Sequence, residues 1–170
     1  HKSFEFVSSN YDFKNTILHG KIEPYKIFVK DGIKVGVFGL GVKLEGLVDK
    51  KNYKETVYHD PVAVAQDMAR ILKKEKKCDI VICLSHIGYQ YKNDPTIICD
   101  LKLAQSTQDI DLIIGGHTHT FLDKPTVVKN SVGKDVLVNQ VGCYGINLGR
   151  IDFYLEDKKM VSNGKSIAVK

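Results

Sequence analysis

The chain has 170 residues, a formal net charge of +5, 43% hydrophobic residues and 26% charged residues. These proportions are typical of one globular domain, and no apolar run in the sequence reaches the roughly 20 residues that a membrane-spanning helix needs. The charge comes almost entirely from scattered lysines, with Arg70 and Arg150 as the only arginines, which argues against a nucleic-acid interface because such interfaces favour clustered arginine among aromatic residues.

The N-terminal third predicts a strand, a hairpin and a long loop. Alternating apolar and polar side chains predict strands over residues 4–8, 25–30 and 34–39. The dipeptide Asp31-Gly32, which separates the second strand from the third, is the standard signal of a tight hairpin turn. Residues 41–58 are rich in lysine, glycine and asparagine, and they are predicted to form a long surface loop.

The clearest helix is predicted over residues 60–74. Asp60 provides an N-cap, and Pro61 occupies the first turn, where its missing N–H costs nothing. The apolar residues that follow fall on one helical face: Val62, Val64, Ala65, Met68, Ile71 and Leu72. This spacing predicts a helix that packs one side against a sheet.

Buried strands alternate with a helix in the middle of the chain. Apolar runs predict strands over residues 79–84 and 111–114, and a helix is predicted between them over residues 98–105. Asp111 is interpreted as the start of the second strand rather than as a metal ligand. A strand, helix, strand order implies a parallel pair joined by a right-handed crossover, with ligands expected at the carboxyl ends of the strands.

After Pro125 the pattern changes to strands and turns that resemble an antiparallel meander. Strands are predicted over residues 126–128, 135–140 and 146–155. The predicted fold class is therefore α/β, with a mixed sheet, crossover helices and a C-terminal antiparallel meander. Because the sequence holds no internal repeat or convincing linker, residues 1–170 are predicted to form a single domain.

The spacing of the cysteines indicates no metal site. They form no Cys-x-x-Cys pair and no zinc-ribbon spacing, and they give no warrant for a disulfide: Cys78, Cys83, Cys99 and Cys143. Cys83 lies within an apolar run, so it is interpreted as a small buried hydrophobic residue.

Three histidines follow the two predicted parallel strands and are the candidate metal ligands. His86 follows the first strand in the sequence Leu-Ser-His-Ile-Gly, and His117 and His119 follow the second in Gly-Gly-His-Thr-His-Thr. Neutral imidazole is the commonest metal ligand in proteins, and a rigid strand end fixes its direction. Gly115 and Gly116 would let the backbone turn sharply beside such a site.

This combination of motifs resembles the calcineurin-like metallophosphoesterases, and most closely their 5′-nucleotidase branch, over nearly the whole chain. The resemblance implies a four-layer α-β-β-α sandwich with two divalent metal ions, which are Mn²⁺, Zn²⁺, Fe²⁺ or Co²⁺. It implies that His86 and His117 bind one ion and that His119 binds the other. Asn139 is a further candidate for lining the site, although structural hydrogen bonding is the more expected role for Asn139 and Gln140.

The activity that the resemblance implies is hydrolysis of nucleoside 5′-monophosphates or related phosphoesters. Members of this family also use Asp-x-His, Gly-Asp and Asn-His motifs, none of which occurs in these 170 residues. The sequence is therefore predicted to be the C-terminal half of a catalytic domain, with no catalytic acid of its own and no activity by itself.

The resemblance also predicts partners and a location. The expected partners are a small phosphoester substrate, the missing half of the domain or a second copy of the chain, and a separate substrate-recognition domain. A periplasmic or secreted location is implied by the family, although the first residues carry no signal peptide. The alternative that stays open is a non-catalytic half-domain that binds and assembles with a partner chain.

Overall fold

The computed structural model describes residues 4–156 and 159–169, and its largest unit is a six-stranded mixed sheet. The elements in chain order are β1 (Tyr11–Asp12), β2 (Tyr25–Lys30), β3 (Ile33–Gly41), α1 (Lys50–Tyr53), β4 (Val57–Tyr58), α2 (Pro61–Arg70), a π-helical turn (Ile71–Glu75), β5 (Ile80–His86), α3 (Asp100–Ser106), β6 (Leu112–Ile114), β7 (Thr126–Lys129), β8 (Asp135–Asn139), β9 (Asn147–Glu156) and β10 (Lys159–Ala168). This arrangement confirms the predicted α/β class and the antiparallel strands at its C-terminal end.

The strand order of the main sheet is β2-β3-β5-β6-β8-β7. The four central strands are parallel, and the two edge strands run antiparallel to their neighbours. His86 lies opposite Gly41 of β3, and Leu84 lies opposite Ile114, the last residue of β6. The carboxyl ends of β3, β5 and β6 therefore meet at one end of the sheet, where ligands were expected.

Helix α2 begins as the sequence predicts. The carboxylate of Asp60 accepts a hydrogen bond from the backbone N–H of Ala63 at 2.8 Å, and Pro61 is the first helical residue. The helix passes into the π-helical turn, in which Leu72 is 0% exposed. Because full burial of a leucine side chain contributes roughly 2 kcal/mol, this turn helps to anchor the helix against the sheet.

One face of the main sheet carries the core, and the other face is only partly covered. The core joins α2 and α3 to the central strands, and its fully buried members include Phe38, Val81, Cys83, Leu103 and Ile113. Side chains alternate between the faces of a strand, so Leu84 and Ile114 lie on the opposite face, where they are 40% and 42% exposed. The open face therefore presents neighbouring apolar side chains to solvent.

Two predictions for the N-terminal part were wrong. Residues 4–8 do not form a strand, because Val7 makes only a single bridge and the aromatic rings of Phe4 and Phe6 pack edge to face against each other. The predicted loop over residues 41–58 contains α1 and also β4, which pairs with β1. The alternation of apolar and polar residues over 4–8 therefore does not correspond to a paired strand.

The C-terminal antiparallel strands are confirmed, but they do not form one continuous meander. The predicted strands over residues 126–128 and 135–140 correspond to β7 and β8, which pair antiparallel in the main sheet. The predicted strand over residues 146–155 corresponds to β9, which pairs with β10 in a separate hairpin. Strand β8 already has β6 on its other side, so it has no free edge for β9.

The four cysteines, all of which the structure describes, are free thiols. Cys83 is fully buried, as predicted, and this burial raises the pKa of its thiol well above the ordinary value. Within the described ranges, no helix combines the length and the apolar character needed to cross a membrane. The assignment of residues 1–170 to a single domain stays a prediction.

Candidate metal centre

His86 and His117 lie side by side at the carboxyl ends of neighbouring strands. His86 is the last residue of β5, and His117 follows the end of β6 by three residues. The centres of the two rings are 5.2 Å apart, and the ring planes are inclined at 68°. Two imidazoles bound to one tetrahedral ion at about 2.1 Å have ring centres about 5 Å apart. The pair therefore fits a shared metal ion.

The turn that carries His117 and His119 has an unusual backbone. The φ angles of these residues are 74° and 50°, a left-handed region that few non-glycine residues occupy. The N–H of Thr118 donates a hydrogen bond to the carbonyl of Gly116 at 3.0 Å, which closes the turn. Backbone of this kind persists where surrounding contacts enforce it, and it is common at functional sites.

The side chain of Gln140 is one of those enforcing contacts. Its Nε2 donates a hydrogen bond to the carbonyl of Gly116 at 2.8 Å, and its Oε1 accepts one from the N–H of Thr120. The hydroxyl of Thr118 accepts a hydrogen bond from the N–H of Tyr89 at 2.9 Å, which joins the loop after β5 to the loop after β6. Gln140 therefore has the structural role that the sequence predicted.

Gly116 borders the histidine pair, whereas Asn139 contributes mainly its backbone. A Cβ atom at Gly116 would lie 2.9 Å from Nδ1 of His86, so only glycine allows this close approach. The carbonyl of Asn139 accepts a hydrogen bond from the N–H of Gly115 at 2.8 Å. The side chain of Asn139 lies against Gly149 instead, with its Nδ2 2.9 Å from where a Cβ would stand.

A buried carboxyl group beside the site was missed by the sequence motifs. Asp100 is the first residue of α3, two residues after the predicted start of that helix, and it is 0% exposed. The hydroxyl of Ser85 donates a hydrogen bond to its Oδ1 at 2.5 Å. Burial raises the pKa of Asp100 to about 7, and the Ser85 hydrogen bond opposes that rise. Because helix-opening aspartates are usually exposed, only the tertiary structure reveals this one.

The electrostatic environment of His86 suits metal binding. The pKa of His86 is lowered first by burial and then by the nearby His117 and His119, which favours the neutral imidazole that a metal requires. In the part of the chain that the structure describes, however, no three His, Cys, Asp or Glu side chains form a group that could hold an ion. The histidine pair therefore fits part of a metal centre and needs further ligands.

A cavity of about 220 Å³ opens beside His117. Its wall is largely apolar and includes Leu47, Tyr58, Tyr91 and Ile97. An apolar cleft with a few polar groups is the usual setting of a small-molecule site. The space could therefore hold a small organic group next to the histidine pair.

Comparison with known proteins identifies the family. No family model matches the sequence. The trifunctional nucleotide phosphoesterase YfkN of Bacillus subtilis (strain 168) is 38% identical over 180 aligned residues, which cover 96% of this chain and 12% of that protein. The structure of a 5′-nucleotidase precursor from Thermus thermophilus has a TM-score of 0.79 at 30% identity, covering 97% of this chain and 34% of the other. This chain belongs to the 5′-nucleotidase family of calcineurin-like phosphoesterases.

Similarities to other members of the 5′-nucleotidase family agree with this assignment. The snake venom 5′-nucleotidase of Gloydius brevicauda is 29% identical over 186 residues, covering 98% of this chain and 30% of that protein. The calcineurin-like phosphoesterase YfkN from Bacillus subtilis has a TM-score of 0.71 at 23% identity, over 98% of this chain and 56% of the other, and shows the shared fold. The chain thus spans 12% and 30% of the length of the two curated relatives named here.

Proposed function

We propose that this chain is part of a two-metal phosphoesterase that hydrolyses nucleoside 5′-monophosphates. Its proposed metal ligands are His86, His117 and His119. The observation that carries the proposal is the pair of imidazole rings 5.2 Å apart at the ends of adjacent parallel strands. Family membership supports phosphoester hydrolysis, and the cavity at His117 supports a substrate with an organic group beyond the phosphate. By the same resemblance, we place the protein in the periplasm or outside the cell.

In the proposed centre, His86 and His117 hold one divalent ion and His119 holds the other. Two ions held in this way would supply a water molecule of lowered pKa and binding positions for the phosphate oxygens. The lowered pKa of His86 keeps its ring nitrogen unprotonated and available near neutral pH. The hydrogen bonds of Gln140 hold the loop that carries two of the three ligands.

Three histidines divided between two ions leave one ion with two protein ligands and the other with one. We therefore expect this chain to bind metal weakly and to have no activity by itself. The half-exposed Leu84 and Ile114 on the open sheet face support a partner, because large uncovered apolar surfaces are uncommon on monomers. That partner would be another layer of the catalytic domain or a second copy of the chain.

The proposal is tested by measuring the hydrolysis of adenosine 5′-monophosphate by the longer enzyme that contains this chain, with Mn²⁺ or Zn²⁺ added. Loss of groups that only support a metal ligand costs about 10- to 100-fold, so His117→Ala should lower kcat/KM by at least about 100-fold. His59→Ala removes a histidine outside the motifs and serves as the matched control, which should keep normal turnover. Near-normal turnover of the His117 variant would refute the ligand assignment.

A further inference from the structure

Asp100 is held in an unusual place for a carboxyl group. It is 0% exposed, and its backbone N–H donates a hydrogen bond to the carbonyl of Gly88 at 2.8 Å, in the loop that follows β5. Its Oδ1 accepts the hydrogen bond from Ser85. Its Oδ2 is buried and has no hydrogen-bond partner among the residues that the structure describes. One oxygen of this acid is therefore satisfied and the other is not.

Such an arrangement is costly for the fold. A buried polar atom without a partner destabilises the fold, and burial of this carboxyl group also disfavours its charged form, which raises its pKa to about 7. An apolar residue of similar size would avoid this cost, because replacing both partners of a buried polar pair by apolar groups can be neutral or stabilising. Stability alone therefore does not account for a carboxyl group at this position, and its contacts indicate another role.

The carboxyl group touches both strand ends that present the histidine pair. Ser85, which donates to Oδ1, directly precedes His86. Oδ2 lies only 2.2 Å from where a Cβ of Gly115 would stand, so it packs directly on the backbone two residues before His117. Asp100 therefore bridges the end of β5 and the end of β6.

The contact with β5 extends to both sides of His86. The N–H of Ile87 donates a hydrogen bond to the Oγ of Ser85 at 3.3 Å, and the same hydroxyl donates to Asp100. Of the two residues that flank His86, Ser85 is therefore hydrogen-bonded directly to Asp100, and Ile87 is linked to it through the Ser85 hydroxyl. Rotation of this backbone segment would break the pair of hydrogen bonds.

We propose that Asp100 is a positioning residue for the histidine pair: its carboxyl group joins the two strand ends and sets the separation at which His86 and His117 share one metal ion. This inference rests on the proposed metal centre. It predicts that, without the carboxyl group, the two imidazole rings no longer bind the same ion. A side chain of the same shape should keep them at the separation that allows both to bind it.

Cu²⁺ is the probe for the test, because it is the divalent ion that imidazole sites bind most tightly. The 170-residue chain is used with His1, His19 and His59 replaced by Gln, which leaves the three candidate ligands as the only histidines. Electron paramagnetic resonance then reports how many imidazole nitrogens bind each Cu²⁺ ion, and titration gives the affinity.

Asp100→Ala should weaken Cu²⁺ binding by about 10- to 100-fold, the usual effect of removing a group that orients a ligand. Its spectrum should change from two imidazole nitrogens per ion to one. Asp100→Asn retains an oxygen acceptor for Ser85 and fits the same space, so it should keep the two-nitrogen spectrum. Ser85→Ala leaves Asp100 in place but removes the hydroxyl that links it to the end of β5, and it should weaken binding even if the alanine variant at position 100 does not fold.

Thr107→Val is the matched control for damage to α3. Thr107 is also 0% exposed, and its hydroxyl donates to the carbonyl of Leu103 at 2.7 Å at the opposite end of the same helix. This variant should lose stability and keep the two-nitrogen spectrum. An unchanged spectrum and affinity in folded Asp100→Ala or in Ser85→Ala would overturn the positioning role.

The test separates this inference from the proposed function. His86→Ala and His117→Ala should each abolish the two-nitrogen spectrum. If neither variant changes it, the proposed metal centre is wrong. If both do so while Asp100→Ala and Ser85→Ala leave the spectrum and the affinity intact, the metal centre stands and only the positioning role fails.

Discussion

Replacing Asp100 by Asn should change how the stability of the chain depends on pH. The variant keeps the shape of the side chain and an oxygen acceptor for Ser85, but it removes the ionisable group. The pKa of this carboxyl group is 3.8 in an unfolded chain and about 7 in the folded protein, because burial disfavours the charged form. Folding therefore depends on the proton that this group holds.

The direction of the effect follows from the two pKa values. Between about pH 4 and pH 7 the unfolded chain has released this proton while the folded chain retains it, so the free energy of unfolding falls as the pH rises through that window. Each pKa unit corresponds to about 1.4 kcal/mol, so the contribution of Asp100 falls by about 4 kcal/mol across the window. Above about pH 7 the loss is complete. Asp100→Asn has no ionisable group at this position, so it should not lose this stability as the pH rises.

Urea unfolding followed by circular dichroism, with a chelator present, measures the effect. The stability of Asp100→Asn minus that of the unaltered chain should increase by about 4 kcal/mol between pH 4 and pH 8. Asp49→Asn provides a control that should stay nearly flat over this range: hydrogen bonds from Lys51 lower the pKa of that exposed carboxyl group, so its effect on stability lies below about pH 4. A difference for Asp100→Asn that stays flat within about 0.5 kcal/mol would refute the argument.

The remaining predictions concern stability and use the same urea assay. Gly115→Ala should destabilise the fold by about 1–3 kcal/mol, because its Cβ would lie 2.2 Å from Oδ2 of Asp100; an unchanged midpoint would contradict this packing. Asp60→Ala should cost about 1 kcal/mol through loss of the α2 cap, and no change would show that the cap is dispensable. Asp111→Ala should cost about 1–3 kcal/mol, because the N–H of Val81 loses its carboxylate acceptor; a cost below about 0.5 kcal/mol would argue against that bond.

Local signals predicted the elements whose determinants lie close together in sequence. The Asp31-Gly32 turn joins β2 to β3 with φ angles of 52° and 80°, as a tight hairpin requires. Asp60 caps α2, and the apolar run before His86 forms β5. In each case the information is contained within a few residues. The same is true of the histidine motifs, which drew attention to both strand ends.

Features that depend on distant partners were not predicted. Alternation over residues 4–8 suggested a strand, but no neighbouring strand offers these residues a continuous ladder. Strand β9 pairs with β10 and not with β8, because β6 and β7 occupy both edges of β8. The sequence motifs did not single out Asp100, since its burial arises only when α3 packs against the ends of β5 and β6.

The left-handed backbone at His117 and His119 means that each position must satisfy two separate demands. A residue there must tolerate a positive φ angle, which costs most side chains about 1–2 kcal/mol, and the proposed centre also demands an imidazole. Glycine tolerates a positive φ angle but offers no imidazole. Selection for folding alone should therefore replace histidine at both positions. A library sorted for stability and the same library sorted for turnover should therefore diverge at these two positions.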